Sequence, residues 1–152
     1  MTKQEFKDFC HKEFVRRGFI KRKSMYYLKG KELLCGLYLQ KSMADAFYVE
    51  YDFFIGNYED IKKYPTKYEA DIWRRIAILS KDTVDGERYM GALIEYERYI
   101  VEEIKPYFDD VFEKYIMPPI EDGKKILLDN QRHYFEALFP EQISCVLKKL
   151  QG

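Results

Sequence analysis

The spacing of apolar residues changes along this chain, and each change marks a predicted element. Phe6, Phe9, Cys10 and Phe14 recur at intervals of three and four behind Thr2, and Glu5 stands three residues after that threonine. A hydroxyl at the cap and a carboxylate at the third helical position each satisfy the other's backbone N–H, so residues 2–17 are predicted as an amphipathic helix that Gly18 closes in a left-handed turn. From Phe19 the period falls towards two. "FIKRKSMYYLK" (19–29) reads as a first strand, "KGKE" as a turn and "ELLCGLYLQKS" as a second strand, together a hairpin. "MADA" then turns into a third strand, 47–55.

Residues 57–69 are polar, contain Pro65 and read as a loop with a helical turn. The stretch "DIWRRIAIL" (71–79) fits either period, and its β-branched content favours a fourth strand, with "SKDTVDGE" as the turn after it. After Gly86 the pattern becomes helical. Met90, Leu93, Ile94, Ile100, Val101 and Ile104 form one stripe, and Pro106 opens a second helix with Phe108, Val111, Phe112, Tyr115 and Ile116 on one side. Asp109 and Asp110 stand in its first turn and Lys114 near its end, the order that the helix dipole favours. "MPPIEDG" ends it. Further helices are predicted at 128–138 and 141–150, the latter burying Ile143, Val146, Leu147 and Leu150.

Strands grouped first and helices after them predict an α+β fold: an N-terminal helix, an antiparallel meander of three to four strands, and a helical C-terminal half in a single domain, 1–152. Because successive strand residues face opposite ways, Leu33, Cys35, Leu37 and Leu39 share a dry face with Phe47, Val49, Tyr51, Phe53 and Ile55. The opposite face carries Tyr38, Gln40, Tyr48, Glu50 and Asp52. Two readings of that face stand side by side: a binding surface open to a protein partner, or a second buried side covered by the C-terminal helices.

Composition narrows the field. Of 152 residues 47% are hydrophobic and 17% aromatic, ample for a folded core. Net charge is zero, which removes the general attraction that nucleic acid or an anionic membrane would exert, so neither is expected as a partner. The zero conceals an asymmetry: residues 1–31 hold ten Lys or Arg against three acids, and residues 82–122 hold twelve acids against four bases. The simplest expectation is that the basic third lies against the acidic helices of the same molecule. Cys10, Cys35 and Cys145 are odd in number and far apart in sequence, which fits a reducing, cytoplasmic setting, and all three are expected in apolar company. No apolar run approaches the length of a membrane span, and the N-terminus lacks the apolar stretch of a signal peptide.

Motifs for chemistry are sparse. Neither GxGxxG nor GxxxxGK occurs, and with no CxxC, no HExxH and only His11 and His133 neither a cofactor nor a metal is expected. On one helix Asp129, His133 and Glu136 would share a side at i, i+4 and i+7, most simply as surface ion pairs. The basic run "RRGFIKRKSMYYLK" interleaves cations with Tyr26 and Tyr27, but strand alternation sends Lys21 and Lys23 one way and Arg22 the other. A charged edge strand that resists aggregation is the simpler reading.

Several of these stretches together resemble an uncharacterised bacterial family, domain of unknown function 4304. They are the Phe-rich first helix ending in "RRGFIKRKSMYY", then "LYLQKS", the alternating third strand, "WRRI" and the later "IKPYFDDVFEKY", a likeness spanning about residues 5–116. The resemblance implies an α+β fold in a bacterial cytosol and carries no activity or catalytic residue. Small bacterial domains of this type include immunity proteins that mask a toxin.

The leading functional expectation is therefore a non-enzymatic protein-binding domain that uses Tyr38, Gln40, Tyr48, Glu50 and Asp52, since tyrosine combines rigid contact area with a hydroxyl. The alternative is a small hydrolase: Glu50 and Asp52 stand about 7 Å apart on one strand face, and His133 would complete the acid/base set.

Overall fold

A computed structural model describes all 152 residues. Helix α1 (Lys3–Val15) opens the fold, and Thr2 and Glu5 cap it reciprocally: Glu5 N–H donates to Thr2 Oγ1 at 3.1 Å and Thr2 N–H to Glu5 Oε1 at 3.0 Å. Gly18 then takes φ 99°, a value that costs a residue without Cβ little.

The chain continues through β1 (Ile20–Arg22), β2 (Met25–Lys29), β3 (Leu33–Lys41), β4 (Phe47–Ile55) and β5 (Ile72–Arg75), an antiparallel sheet in that spatial order. The α+β class, the leading helix and the helical second half are as the periodicity predicts. The sheet has five strands rather than three or four, because 19–29 folds back on itself. Arg22 pairs with Met25 across a two-residue turn in which Lys23 adopts φ 58°. No Gly or Asn marks that turn, so the run reads as continuous in sequence.

The segment 71–79 is extended, but it breaks after Arg75. Ile76 is buried and its N–H donates to Val49 O at 2.8 Å, after which the chain leaves the sheet. It forms a separate hairpin of β6 (Ile78–Val84) and β7 (Glu87–Gly91) around Asp85 (φ 52°) and Gly86 (φ 80°). Two central residues with positive φ are the hairpin turn for which Asp-Gly is suited. The helix expected from Gly86 onward thus begins as a strand, and of the expected stripe Met90, Leu93 and Ile100 are exposed while Ile94 and Ile104 are buried.

Helix α2 (Val101–Val111) begins five residues before Pro106, which lies inside it. It runs through one π-helical turn (Phe112–Ile116) into α3 (Met117–Asp122) and ends at Gly123, φ 96°, not at "MPPIEDG" as a whole. Pro119 can continue the helix because the carbonyl it leaves free finds another partner. Pro119 has no N–H for Tyr115 O, and the Tyr134 hydroxyl donates there instead at 2.8 Å. The predicted 128–138 helix is two short pieces, α4 (Lys125–Asp129) and α5 (Gln131–Tyr134). α6 (Pro140–Gln151) buries Val146 and Leu150, with Ile143 and Leu147 half-buried, and leaves Cys145 exposed, against expectation. No helix is long and apolar enough to cross a membrane.

α1 and the C-terminal helices lie on one face of the sheet, here the inner face. Thirty buried residues join there in a single cluster, which includes Phe6, Phe14, Leu37, Val49, Phe53, Phe108, Phe112 and Tyr134. The opposite, outer face has a smaller cluster of Met25, Tyr27, Leu34 and Phe54. What covers it is the connection between β4 and β5, through Tyr58, Ile61, Tyr64 and Ala70, and no helical residue. The Tyr27 hydroxyl donates to Pro65 O and Asp71 accepts from Ile55 N–H at 2.8 Å, which ties the interior of that connection and its last residue to the sheet.

The charge asymmetry resolves only in part within the molecule. Arg16 and Arg17 of the basic third bond Asp109 of α2 at 3.0 and 2.7 Å and share the buried Glu13. The cations of β1 take no such partner.

Candidate functional site

Strand register builds the outer face in rows. Tyr38 on β3 stands opposite Glu50 on β4, which stands opposite Arg75 on β5; Gln40 faces Tyr48; Gly36 faces Asp52, which faces Trp73. The five residues expected at this face therefore are brought together, and β5 adds Trp73 and Arg75. Arg75 organises the half that the β4–β5 connection leaves uncovered. Its guanidinium lies 3.9 Å from the ring centre of Tyr48 and 5.5 Å from that of Trp73, and it donates to Gln40 Oε1 at 3.2 Å. A planar guanidinium stacks flat on a ring while its edge N–H groups donate, a geometry that the compact lysine ammonium does not have.

Depth divides the face. Tyr38, Gln40, Tyr48, Trp73 and Arg75 are half-buried, whereas Glu50 is buried and Asp52 has no exposed surface at all. Gly36, opposite Asp52 on β3, leaves room for Met25 and Phe54 to close in: a Cβ there would come within 2.8 Å of Met25 Cε and 3.2 Å of the Phe54 ring. No N–H or hydroxyl donor reaches either Asp52 oxygen, and the Glu50 carboxyl beside it is the group to which a proton on Asp52 can be donated. Burial first, and the neighbouring Glu50 second, push the Asp52 acid far above the usual carboxylate range, so it holds its proton at neutral pH. A proton on Asp52 also removes the like-charge repulsion between the two side chains.

His133 is elsewhere. It reaches the sheet from α5 at Tyr51, whose side chain points to the inner face, and its Nε2 and the Tyr51 hydroxyl are 2.8 Å apart. Its ring stacks on Tyr115 with centroids 3.7 Å apart and planes 7° from parallel. The sheet thus separates His133 from Glu50 and Asp52, and the three groups expected of a hydrolase do not face one space. Asp129, His133 and Glu136 are not aligned on one helix either: the break after α4 leaves Asp129 exposed, and Glu136 pairs with Arg74 at 3.0 Å. No three His, Cys, Asp or Glu side chains cluster in a way that could hold a metal.

Burial, followed by the positive charge of Arg74, lowers the His133 imidazolium to about 4. The fold therefore holds the ring neutral. Its contribution to stability is fully present above the unfolded histidine value near 6.5 and is lost as pH falls through about 4. NMR titration of the ring carbon protons, assigned with His133→Gln, is expected to give a midpoint near 4 for this ring. A midpoint at the ordinary histidine value would show the ring to be solvated and its bond to Tyr51 unformed.

Sequence reasoning passed over Trp73 and Arg75, although the alternation of Ile72 and Arg74 against Trp73 and Arg75 already placed them on one side of a strand. No protein-family model, no curated protein and no solved structure matches this chain.

Proposed function

We propose that this chain is a non-enzymatic protein-binding domain whose contact surface is the half-exposed part of the outer sheet face: Tyr38, Gln40, Tyr48, Trp73 and Arg75. The observation that carries this reading is the single guanidinium of Arg75, which holds residues of three adjacent strands in order on a face that no helix packs against. Tyr, Trp and Arg are the residue types that dominate binding energy at interfaces. Pre-ordering them lowers the conformational cost of association. Glu50 and Asp52 are buried on the same face, and the partner meets the half-exposed side chains around them.

The test is capture from native lysate with the wild type and with the double variant Tyr48→Ala, Trp73→Ala, beside the control Tyr89→Ala on β7, each verified as folded by circular dichroism. Loss of two aromatic anchors at the centre of an interface is expected to weaken a true partner by roughly 30-fold or more. The captured protein should then persist on wild type and control and vanish from the double variant. Equal retention on all three, or no captured protein, overturns the assignment.

A further inference from the structure

Tyr38 also borders a second feature. Between the β1–β2 turn and the β4–β5 connection lies a cleft of about 700 Å³ lined by Lys21, Arg22 and Lys23 on one side, the Lys21 ammonium turned towards Tyr26 at 5.9 Å from its ring centre, and by Lys62, Lys63 and Lys67 on the other. No acidic side chain lines it. None of these six cations forms an ion pair. Like charges gathered without a counter-charge repel one another in the free fold, and an anion entering between the rims removes that repulsion.

We infer that this cleft binds an acidic, carboxylate-rich segment of a partner protein. The inference rests on the protein-binding reading above and extends it, since Tyr38 belongs to both surfaces. Two observations favour a peptide over a single-stranded nucleic acid, the other polyanion that a basic, tyrosine-lined groove would suit. Bases need open ring faces, and in this cleft the molecule's own cations occupy them: Arg22 lies 4.4 Å from the ring centre of Tyr64, and Lys67 lies 4.7 Å from that of Tyr38 and 5.2 Å from that of Tyr68. Five of the six cations are lysines, flexible point charges that suit scattered carboxylates without demanding a fixed fork geometry. A long phosphate backbone would moreover extend beyond the cleft over a chain of zero net charge, whose residues 82–122 are strongly acidic.

Fluorescence anisotropy with the full chain tests this, with a labelled deca-glutamate peptide, a deca-glutamine peptide and a single-stranded DNA of matched charge as probes. The cleft variant is Lys62→Ala, Lys63→Ala, Lys67→Ala. Its charge-matched control is Lys12→Ala, Lys125→Ala, Lys148→Ala, three exposed lysines outside the cleft. Binding of the glutamate peptide is expected to weaken about tenfold or more in the cleft variant and less than about twofold in the control, and to fall as salt is raised. Backbone amide shifts on adding the peptide to wild type should centre on Ser24, Met25 and the 62–68 segment, a readout that needs no variant. No binding of the glutamate peptide, equal loss in both triple variants, or tighter binding of the DNA overturns the proposal. If the glutamate peptide binds in the cleft while captured protein ignores Tyr48 and Trp73, the sheet-face reading fails and the cleft stands. If captured protein depends on Tyr48 and Trp73 but the glutamate peptide does not bind, the cleft fails and the sheet-face reading stands.

Discussion

Asp52→Asn is expected to flatten the alkaline side of the stability profile. Below the ordinary aspartate value near 3.8 both the folded and the unfolded chain carry this proton. Above it the unfolded chain releases the proton while the buried site keeps it, so wild-type stability falls as pH rises until the folded group itself ionises. One proton of difference corresponds to about 1.4 kcal/mol per pH unit. Asn keeps the shape and removes the titration. Any cost of burying its amide without a partner is the same at every pH. Urea unfolding at about pH 5, 7 and 9 should therefore show wild type losing stability relative to the variant by up to about 1.4 kcal/mol for each unit. Curves that run parallel across this range would mean that Asp52 is ionised in the fold or reached by water.

The second large effect is expected at Phe14. This ring has no exposed surface and joins three elements: it belongs to α1, stands edge-on to Tyr26 of β2 at 5.0 Å and meets Phe112 in the helical half at 6.0 Å. Phe14→Ala removes the side chain from the point where these layers touch and leaves a cavity that rigid strands cannot close, a loss of about 3–5 kcal/mol. Denaturant unfolding followed by circular dichroism measures it. A loss below about 1 kcal/mol would show that α1 does not depend on this contact for its seat on the sheet.

Both effects arise from features that differ in how visible they are along the chain. Phe14 is legible: with Phe6, Phe9 and Cys10 it marks the buried side of a helix whose cap is written in Thr2 and Glu5. The pairing of Glu50 and Asp52 on one strand face is legible for the same reason, since alternation in an extended chain is a local steric fact. Their depth is not, because it depends on Gly36 and Trp73 from neighbouring strands and on a connection that looks, by composition, like a solvated loop. Tyr58, Ile61 and Tyr64 are scattered among lysines and acids, and only closure over Tyr27 and Phe54 turns them into a cover.

The chain's local physics determined the α+β class, the capped first helix, the last helix, the alternation of β3 and β4 and the absence of a nucleotide or zinc motif, because each follows from dihedral sterics, capping hydrogen bonds or residue spacing within a few positions. Tertiary structure alone decided that the C-terminal helices join α1 on the dry face instead of covering the opposite one. Both faces carry apolar residues, and the more continuous aromatic and aliphatic surface, from Leu33 to Ile72, is the one that thirty buried residues close over. That choice left Tyr38, Gln40, Tyr48, Trp73 and Arg75 half-open, sent His133 to the opposite side from Glu50 and Asp52, and set the β1–β2 turn against Lys62, Lys63 and Lys67. Such placements depend on remote segments competing to cover the same surface, and no spacing along the chain encodes the outcome.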